Sequence, residues 1–401
     1  MSFEEDDFSK IYEYVDLVTN TEGAVIDDKE TLCERHEFGL LRLNLIAMEA
    51  MAREIEFDMS RIGFDIKTND RGKVIVAPKA KTSTLTYFHR LKTFFMNYAY
   101  SERRVFSPHV QVVVEALDAA GLNPRTFRFS EPGERDLSTG KMHGEIFNEV
   151  VAKVSEIVAS SAFKERLRVR MRNAARNEAK GLAIEQQVFE NKSRQLVLML
   201  HFGFREQHRS KITLDEIQKL RKQFFNNCRS NKLLRGIVDY IWKLEEGDES
   251  GLHLHVLIFY TADSCRDVYI AQQLGKYWVK VTEGKGQYWN SNANKIFHEK
   301  YGHGVGTGEI NWDDEAKREA LRENIRYMTK AAQFLKMKYG EHSRVFGTSQ
   351  VEEKRKSGRP RMVKAKGNVD LANRTQADSC DFESLDDTGV DATNPDADQN
   401  E

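Results

Sequence analysis

Cysteine and proline are scarce in this chain of 401 residues. It has 6 prolines and 4 cysteines, and the cysteines show no paired spacing: Cys33, Cys228, Cys265 and Cys380. The sequence therefore predicts neither a disulfide framework nor a cysteine zinc module, and a reducing compartment is expected. Long apolar runs are also missing and the acidic start Met1–Asp7 does not resemble a signal peptide. We therefore expect a cytoplasmic protein.

A glycine-rich segment, residues 301–308, lacks the ending of a nucleotide-binding loop. It reads Tyr-Gly-His-Gly-Val-Gly-Thr-Gly, whereas a phosphate-binding loop ends in Gly-Lys-Ser or Gly-Lys-Thr. We interpret the segment as turns between a sheet and the helix that follows.

The two signs of charge balance over the whole chain but are unevenly distributed. The formal net charge is −1, yet residues 367–401 hold ten acidic residues and one arginine, net −9, which leaves +8 for residues 1–366. Basic residues concentrate in 164–172 and in 354–361. Such clusters attract nucleic-acid phosphates without regard to base sequence. The acidic tail has few apolar residues and is predicted to be disordered.

The most informative pattern is a pair of histidines within the otherwise apolar segment Gly251–Tyr260. Alternate residues of a strand share a face, so His253 and His255 point the same way. Burying two ionisable rings is unfavourable unless a metal or hydrogen-bond partners compensate for it. The pattern therefore predicts that something binds these two rings.

Two carboxylates end the preceding segment, Tyr240–Gly247, which indicates a neighbouring strand joined to the histidine strand by a short polar turn. That hairpin would carry Glu245 or Glu246 next to the histidines. Strand alternation favours Glu245 as the third ligand, with Glu246 as the competing candidate. Two imidazoles and one carboxylate, with positions left open, suit a catalytic divalent ion rather than a closed structural zinc site.

Residues 321–336 predict an amphipathic helix. Its buried stripe has helical spacing and comprises Leu321, Ile325, Met328, Ala332 and Leu335. Tyr327 lies on the flank of that stripe, and Lys330 is near it on the surface, one turn further on.

Together these segments resemble the HUH endonuclease superfamily, the nicking and joining enzymes of rolling-circle replication. The resemblance rests on the order of a His-hydrophobic-His strand and a downstream Tyr-x-x-Lys helix, with the apolar strand Gln195–Phe202 before them. More closely, the chain looks like the replication initiators of filamentous phages and their prophage-borne relatives. These similarly carry a Trp-Lys-Leu-Glu strand, here Trp242–Glu245, and a Gly-x-Tyr-Trp segment, here Gly275–Trp278, followed by Thr and spaced glycines.

The resemblance covers about residues 190–350 and implies both a fold and a chemistry. The fold would be α+β, with a central antiparallel sheet and flanking helices, the palm-like, ferredoxin-related core of HUH nucleases. Mg²⁺ or Mn²⁺ on Glu245, His253 and His255 would polarise the scissile phosphate. Tyr327 would attack it to give a 5′-phosphotyrosyl link and a free 3′-hydroxyl, while Lys330 would hold the phosphate or lower the tyrosine pKa.

Four segments are predicted along the chain. They are a mainly helical N-terminal domain of unknown role over 1–185, with DNA binding as one interpretation, an HUH endonuclease domain over 186–345, a basic linker with an AT-hook-like core over 346–366, and the acidic tail over 367–401. In the first of these, helices are expected over 40–59, 87–100, 109–120 and 147–180 and a short strand over 73–78. Predicted DNA contacts are Arg326, Lys336, Arg355, Arg359 and Arg361.

The function that the resemblance implies is single-strand nicking and rejoining of origin DNA, in rolling-circle replication of a phage, prophage or satellite element. Its partners would be DNA and a host helicase, polymerase and single-strand-binding protein in the bacterial cytosol, with no membrane. The absence of a second tyrosine one turn from Tyr327 predicts a single-tyrosine enzyme. The alternatives are a non-catalytic DNA-binding regulator on the same fold, a relaxase-like mobilisation nickase and a metal-dependent hydrolase that uses water.

Overall fold

The computed structural model describes residues 21–26, 29–34, 39–97, 99, 104–227, 231–247, 250–293, 295, 305–337 and 344–349. The strands are β1 Thr21–Ile26, β2 Lys29–Glu34, β3 Phe64–Thr68, β4 Val74–Pro78, β5 Arg104–Phe106, β6 Arg194–Phe204, β7 Ile237–Gly247, β8 Gly251–Thr261, β9 Gly286–Asn290, β10 Gly308–Asn311, β11 Leu335–Met337 and β12 Phe346–Thr348. The helices are α1 Gly39–Asp58, α2 Lys81–Asn97, α3 Pro108–Ala119, α4 His143–Ala159, α5 Ser161–Asn191, α6 Glu206–Arg209, α7 Leu214–Asn226, α8 Asp267–Val281 and α9 Glu315–Phe334.

A six-stranded antiparallel sheet forms the centre of the C-terminal half. Its order is β10, β6, β8, β7, β12, and β9 pairs with the other end of β6. β8, the histidine strand, lies in the middle between β6 and β7. Both β6 and β8 are nearly continuous apolar runs because helices cover both faces of the sheet. The predicted α+β class with a central antiparallel sheet is confirmed.

One face of the sheet is covered by α7 and α8. The connectivity is β6–α7–β7–β8–α8–β9, with the four strands side by side in the order β9, β6, β8, β7. The helices pack on the even-numbered side chains of β6, among them Leu198 and Phe202. The Trp278 ring stacks on Phe202 with centroids 5.1 Å apart. This face is a hydrophobic core.

The Gly-x-Tyr-Trp segment belongs to α8 and fastens that helix to the sheet. Trp278 Nε1 donates to the Gly203 carbonyl at 3.0 Å, and the Gly286 amide donates to Thr282 Oγ1 at 2.8 Å. Gly275 has no room for a Cβ because the Tyr288 ring lies against it. These residues therefore have a packing role.

The other face of the sheet is covered by α5 and α9. Ile184, Val188 and Phe189 of α5 and Leu321, Ile325 and Met328 of α9 form one buried cluster with the odd-numbered apolar residues of β6, β7 and β8. The histidines of β8 are also odd-numbered. They therefore point towards the same face as the helix that carries Tyr327.

The described part of the N-terminal half is mainly helical and packs around its own core. Phe88, Phe94 and Phe95 are at most 1% exposed within it, so these rings are not available for stacking on DNA bases. The single helix expected over 147–180 is wrong: Ser160 separates α4 from α5. Its hydroxyl accepts from the Phe163 amide at 3.2 Å and thereby caps α5.

The two halves share structural elements. The boundary expected between residues 185 and 186 falls inside α5, whose start packs in the N-terminal core and whose end packs on the sheet. After α9, strand β11 pairs with β5, so that Leu335 lies opposite Phe106. The tyrosine helix is therefore attached to the N-terminal half at its C-terminal end.

Several predicted segments lie outside the described residues. These are most of the basic linker, including its AT-hook-like core, and the whole acidic tail. Within the described ranges, none of the helices combines the length and apolar character needed to cross a bilayer.

Gly181 permits the close crossing of α5 and α9. A Cβ at this position would lie 2.5 Å from Ile325 Cγ2 and 3.5 Å from Ile241 Cδ1. We expect Gly181→Ala to lower the free energy of unfolding by about 1–3 kcal/mol through overpacking, despite the better helix propensity of alanine. Urea denaturation measures this. Lys180→Ala, at an exposed neighbouring position, is the control and should change stability by less than about 0.5 kcal/mol; equal stability of the two variants would contradict the close crossing.

Candidate metal centre

Glu245, His253 and His255 converge at the turn end of the β7–β8 hairpin. The register places Glu245 directly opposite His253. Glu245 Oε2 lies 3.1 Å from His255 Nε2 and 3.9 Å from His253 Nε2. One ligand atom from each residue lies within 4.8 Å of the others. The predicted grouping is confirmed as a cluster able to hold a metal ion, with Glu245 as its carboxylate; the side chain of Glu246 lies outside the described part.

The converging atoms are buried and lack hydrogen-bond partners. Glu245 Oε2, His253 Nε2 and His255 Nε2 have no hydrogen bond of good geometry among the described residues, and Glu245 Oε2 and His255 Nε2 face each other at 3.1 Å. His253 and His255 are 6% and 1% exposed. Buried polar groups without partners are costly, and a divalent cation at their meeting point would satisfy all three. The donor set therefore fits a metal ion.

The turn of the hairpin holds the His253 ring in position. Its Nδ1 lies 2.9 Å from the Gly251 carbonyl oxygen and 3.4 Å from Ser250 Oγ. With Nδ1–H donating to that carbonyl, Nε2 keeps its lone pair for a metal. Gly251 has φ +63°, a left-handed conformation that glycine adopts without strain.

The electrostatics keep Glu245 and His253 in the protonation states that a metal requires. Burial alone would raise the pKa of Glu245, but the Lys243 ammonium and the two imidazoles outweigh it and hold that pKa well below its ordinary value. Burial, with the neighbouring His255, lowers the pKa of His253 to about 4. At neutral pH the carboxylate is therefore ionised and the His253 imidazole neutral.

Two further residues border the cluster and were not predicted from the sequence. Lys243 is 5% exposed, lies opposite His255 in the register, and its ammonium contacts Glu245 Oε1. His201 of β6 lies opposite His255 on the other side, with ring centroids 4.1 Å apart. Strand alternation could have predicted the position of Lys243, because residues 243 and 245 share a face of β7. No local pattern signals His201, because its position depends on the pairing of β6 with β8.

Tyr327 lies on the covering helix α9. The residue is half-buried, and its ring packs against the N-terminal core. The next two residues, Met328 and Thr329, line a cavity together with Lys243. The turn that carries the tyrosine therefore borders the lysine that contacts Glu245, whereas the side chain of Lys330 lies outside the described part.

The predicted DNA contact Arg326 is surrounded by carboxylates. Its guanidinium pairs with Glu323, with Glu319 at 2.6 Å and with Glu178 of α5 at 3.5 Å. The contacts with Glu319 and Glu323 raise its pKa, so the guanidinium stays protonated and the surrounding carboxylates balance its charge. Lys336 lies on β11 opposite Val105, with its side chain outside the described part, and the remaining predicted contacts, Arg355, Arg359 and Arg361, lie outside the described residues altogether.

Comparison with known proteins found no relative of this chain. No family model, no curated protein and no solved structure matches the chain. The resemblance to HUH initiators is therefore carried by the quoted residues alone.

Metal binding tests the cluster directly. We expect Glu245→Gln, His253→Ala and His255→Ala each to weaken Mn²⁺ binding by about a hundredfold or more, since loss of a mere outer hydrogen-bond partner already costs about ten- to a hundredfold. Calorimetric titration measures this. His89→Ala, at an exposed histidine of α2, and Glu246→Gln are the controls. Unchanged binding in the three cluster variants would show that the ion binds elsewhere.

Proposed function

We propose that this protein is a metal-dependent DNA nicking and joining endonuclease of the HUH type, which initiates rolling-circle replication of a phage, prophage or satellite element. One observation carries the proposal. Three buried ligand atoms without hydrogen-bond partners converge on the sheet face that the tyrosine-bearing helix covers. A solely structural histidine pair would be expected to have its ring nitrogens hydrogen-bonded.

The connectivity of the sheet supports the proposal. A β-α-β-β-α-β unit with both helices on one face is the ferredoxin-like arrangement, and β6 to β9 follow it in the side-by-side order β9, β6, β8, β7. The resemblance implies a core of this kind. Fold alone does not determine function, so the argument depends on the site.

The residues that would hold Mg²⁺ or Mn²⁺ are Glu245, His253 and His255. When bound, the ion supplies Lewis-acid stabilisation of the charge that develops on the scissile phosphate. Lys243 neutralises Glu245 from the side of Oε1, which leaves Oε2 for the ion. The flanking His201 ring contacts the His255 imidazole.

Tyr327 would be the nucleophile. Its oxygen forms a bond to phosphorus while the bond between phosphorus and the 3′-oxygen breaks. The phenol loses a proton to solvent and the departing 3′-oxygen takes one up. One phosphodiester, between two nucleotides, is replaced by another, between tyrosine and DNA, so no external energy source such as ATP is consumed. Attack by a 3′-hydroxyl on the phosphotyrosine reverses the step and rejoins the strand. The free 3′-hydroxyl would prime a host polymerase, with a host helicase and single-strand-binding protein opening the duplex.

The N-terminal half would position that nucleophile. The Tyr327 ring packs against its core, and β11 attaches the end of α9 to β5. Precise orientation of reacting groups contributes substantially to enzymatic rates. The first 185 residues would therefore be needed for the reaction as well as for any DNA recognition.

The covalent adduct is the decisive measurement. Purified protein, Mn²⁺ and a single-stranded oligonucleotide library labelled at the 3′ end are run on a denaturing gel. We expect label at the size of the protein, its loss in Tyr327→Phe and a strong reduction in His255→Ala. Tyr269→Phe, at a tyrosine that is 54% exposed on α8, is the matched control and should retain the adduct.

Other outcomes would replace the proposal. Cleavage that persists in Tyr327→Phe without an adduct would identify a hydrolase that uses water. DNA binding with no reaction under any metal would identify a regulator built on this fold.

A further inference from the structure

A cavity lies beside the metal cluster, between α5, the sheet and α9. The residues that line it are Arg170, Asn173, Ala174, Asn177, Lys243, Met328, Thr329, Val345 and Phe346. The middle of α5 therefore meets β7, β12 and α9 here. We call this cavity the α5 cleft.

The chemistry of the α5 cleft favours an anion. Its polar lining consists of a guanidinium, two carboxamides and an ammonium, all of which donate hydrogen bonds, and of the Thr329 hydroxyl, which already donates to backbone carbonyls of α9. None of the described residues that line it is acidic. Its apolar lining is formed by Met328, Val345 and Phe346. The cavity volume of about 50 Å³ admits a phosphate group rather than a whole nucleotide.

Lys243 connects the α5 cleft to the metal cluster. It lines the cavity and its ammonium contacts Glu245 Oε1, while Oε2 of the same carboxylate points to the two histidines. A phosphate in the cleft would thus lie one side chain away from the ligand atoms. This suits the nucleotide next to the scissile phosphate.

The exposed part of α5 extends the positive charge beyond the cleft. Residues 164–180 contain seven basic and two acidic side chains, net +5, and most are exposed. Arg168 and Arg172 are 66% and 61% exposed, and both pair with the single Glu165. A helix with this much basic surface beside a nuclease-type site attracts the backbone of a nucleic acid.

We propose that single-stranded DNA runs along α5 into the α5 cleft, where Arg170 and Asn177 hold the phosphate adjacent to the scissile one. These are positioning residues, and the inference rests on the proposed function. It assigns to α5 the contact that the sequence had suggested for Arg326, whose charge is already neutralised by three glutamates. Because phosphates are bound, the contribution is independent of base sequence.

The test measures single-stranded DNA binding with the full-length Tyr327→Phe protein in EDTA, so that neither metal nor covalent chemistry contributes. Fluorescence anisotropy of a labelled oligonucleotide is followed over a range of salt concentrations. We expect Arg170→Gln to weaken binding roughly tenfold and to reduce the salt slope by about 0.7, the value for one phosphate contact on a single strand. Arg71→Gln, an exposed arginine in the β3–β4 turn, is the charge-matched control.

A second variant guards against effects on folding. Asn177→Asp keeps the shape of the side chain but brings a negative charge into the α5 cleft, and we expect a loss of tenfold or more. Asn191→Asp makes the same change at the exposed end of the same helix and should bind within about twofold of the parent. Thermal unfolding of each variant confirms that the fold is retained.

The outcomes separate this inference from the proposed function. Parental affinity and salt slope in both Arg170→Gln and Asn177→Asp would overturn the α5 cleft, even if the parent chain with Tyr327 forms its DNA adduct normally. Weakened binding in both variants would support the cleft, even if no adduct is ever found. Equal or tighter binding of RNA by the parent would overturn the assignment to DNA.

Discussion

The antiparallel pairing of β7 with β8 is the constraint on which the rest of the site depends. Its register sets Glu245 opposite His253 and Lys243 opposite His255. A slip of β7 by one residue would move Lys243 and Glu245 to the other face of the sheet, into the hydrophobic core beneath α7 and α8 and away from the two histidines. The apolar residues between them, Leu244 and Leu254 among others, are buried in that core, and their burial maintains the register.

The sheet thereby separates structural and chemical roles between its two faces. On one face, Trp278 and its neighbours in α8 fill the space against Phe202 and Phe204. On the other, the apolar cluster between α5 and α9 gives way near the hairpin turn to polar side chains and to the α5 cleft. The apolar cluster on that face packs against α9, the helix that carries Tyr327. The polar side chains near the hairpin turn border the α5 cleft, where a ligand could bind.

The N-terminal half contacts the elements that form the site, although a division of the chain at residue 185 would place it in a separate domain. The boundary predicted at residue 185 divides α5, which is both a component of the N-terminal core and one cover of the sheet. Tyr327 packs against that core, and β11 pairs with β5. Removal of the first half would therefore disturb the helix that carries the proposed nucleophile.

By itself, the sequence determined the features that depend on local periodicity. The alternation of β7 and β8 predicted which side chains meet across the hairpin, and the 3.6-residue spacing of α9 predicted the stripe that faces the sheet. Only the tertiary structure decided the rest. The His201 ring contacts His255, Arg326 forms ion pairs with glutamates of two helices, and Arg170 lines the same cavity as Lys243, because segments distant in the chain pack together. Such contacts depend on how helices and strands distant in the chain pack on one another. The periodicity of a single segment does not predict them.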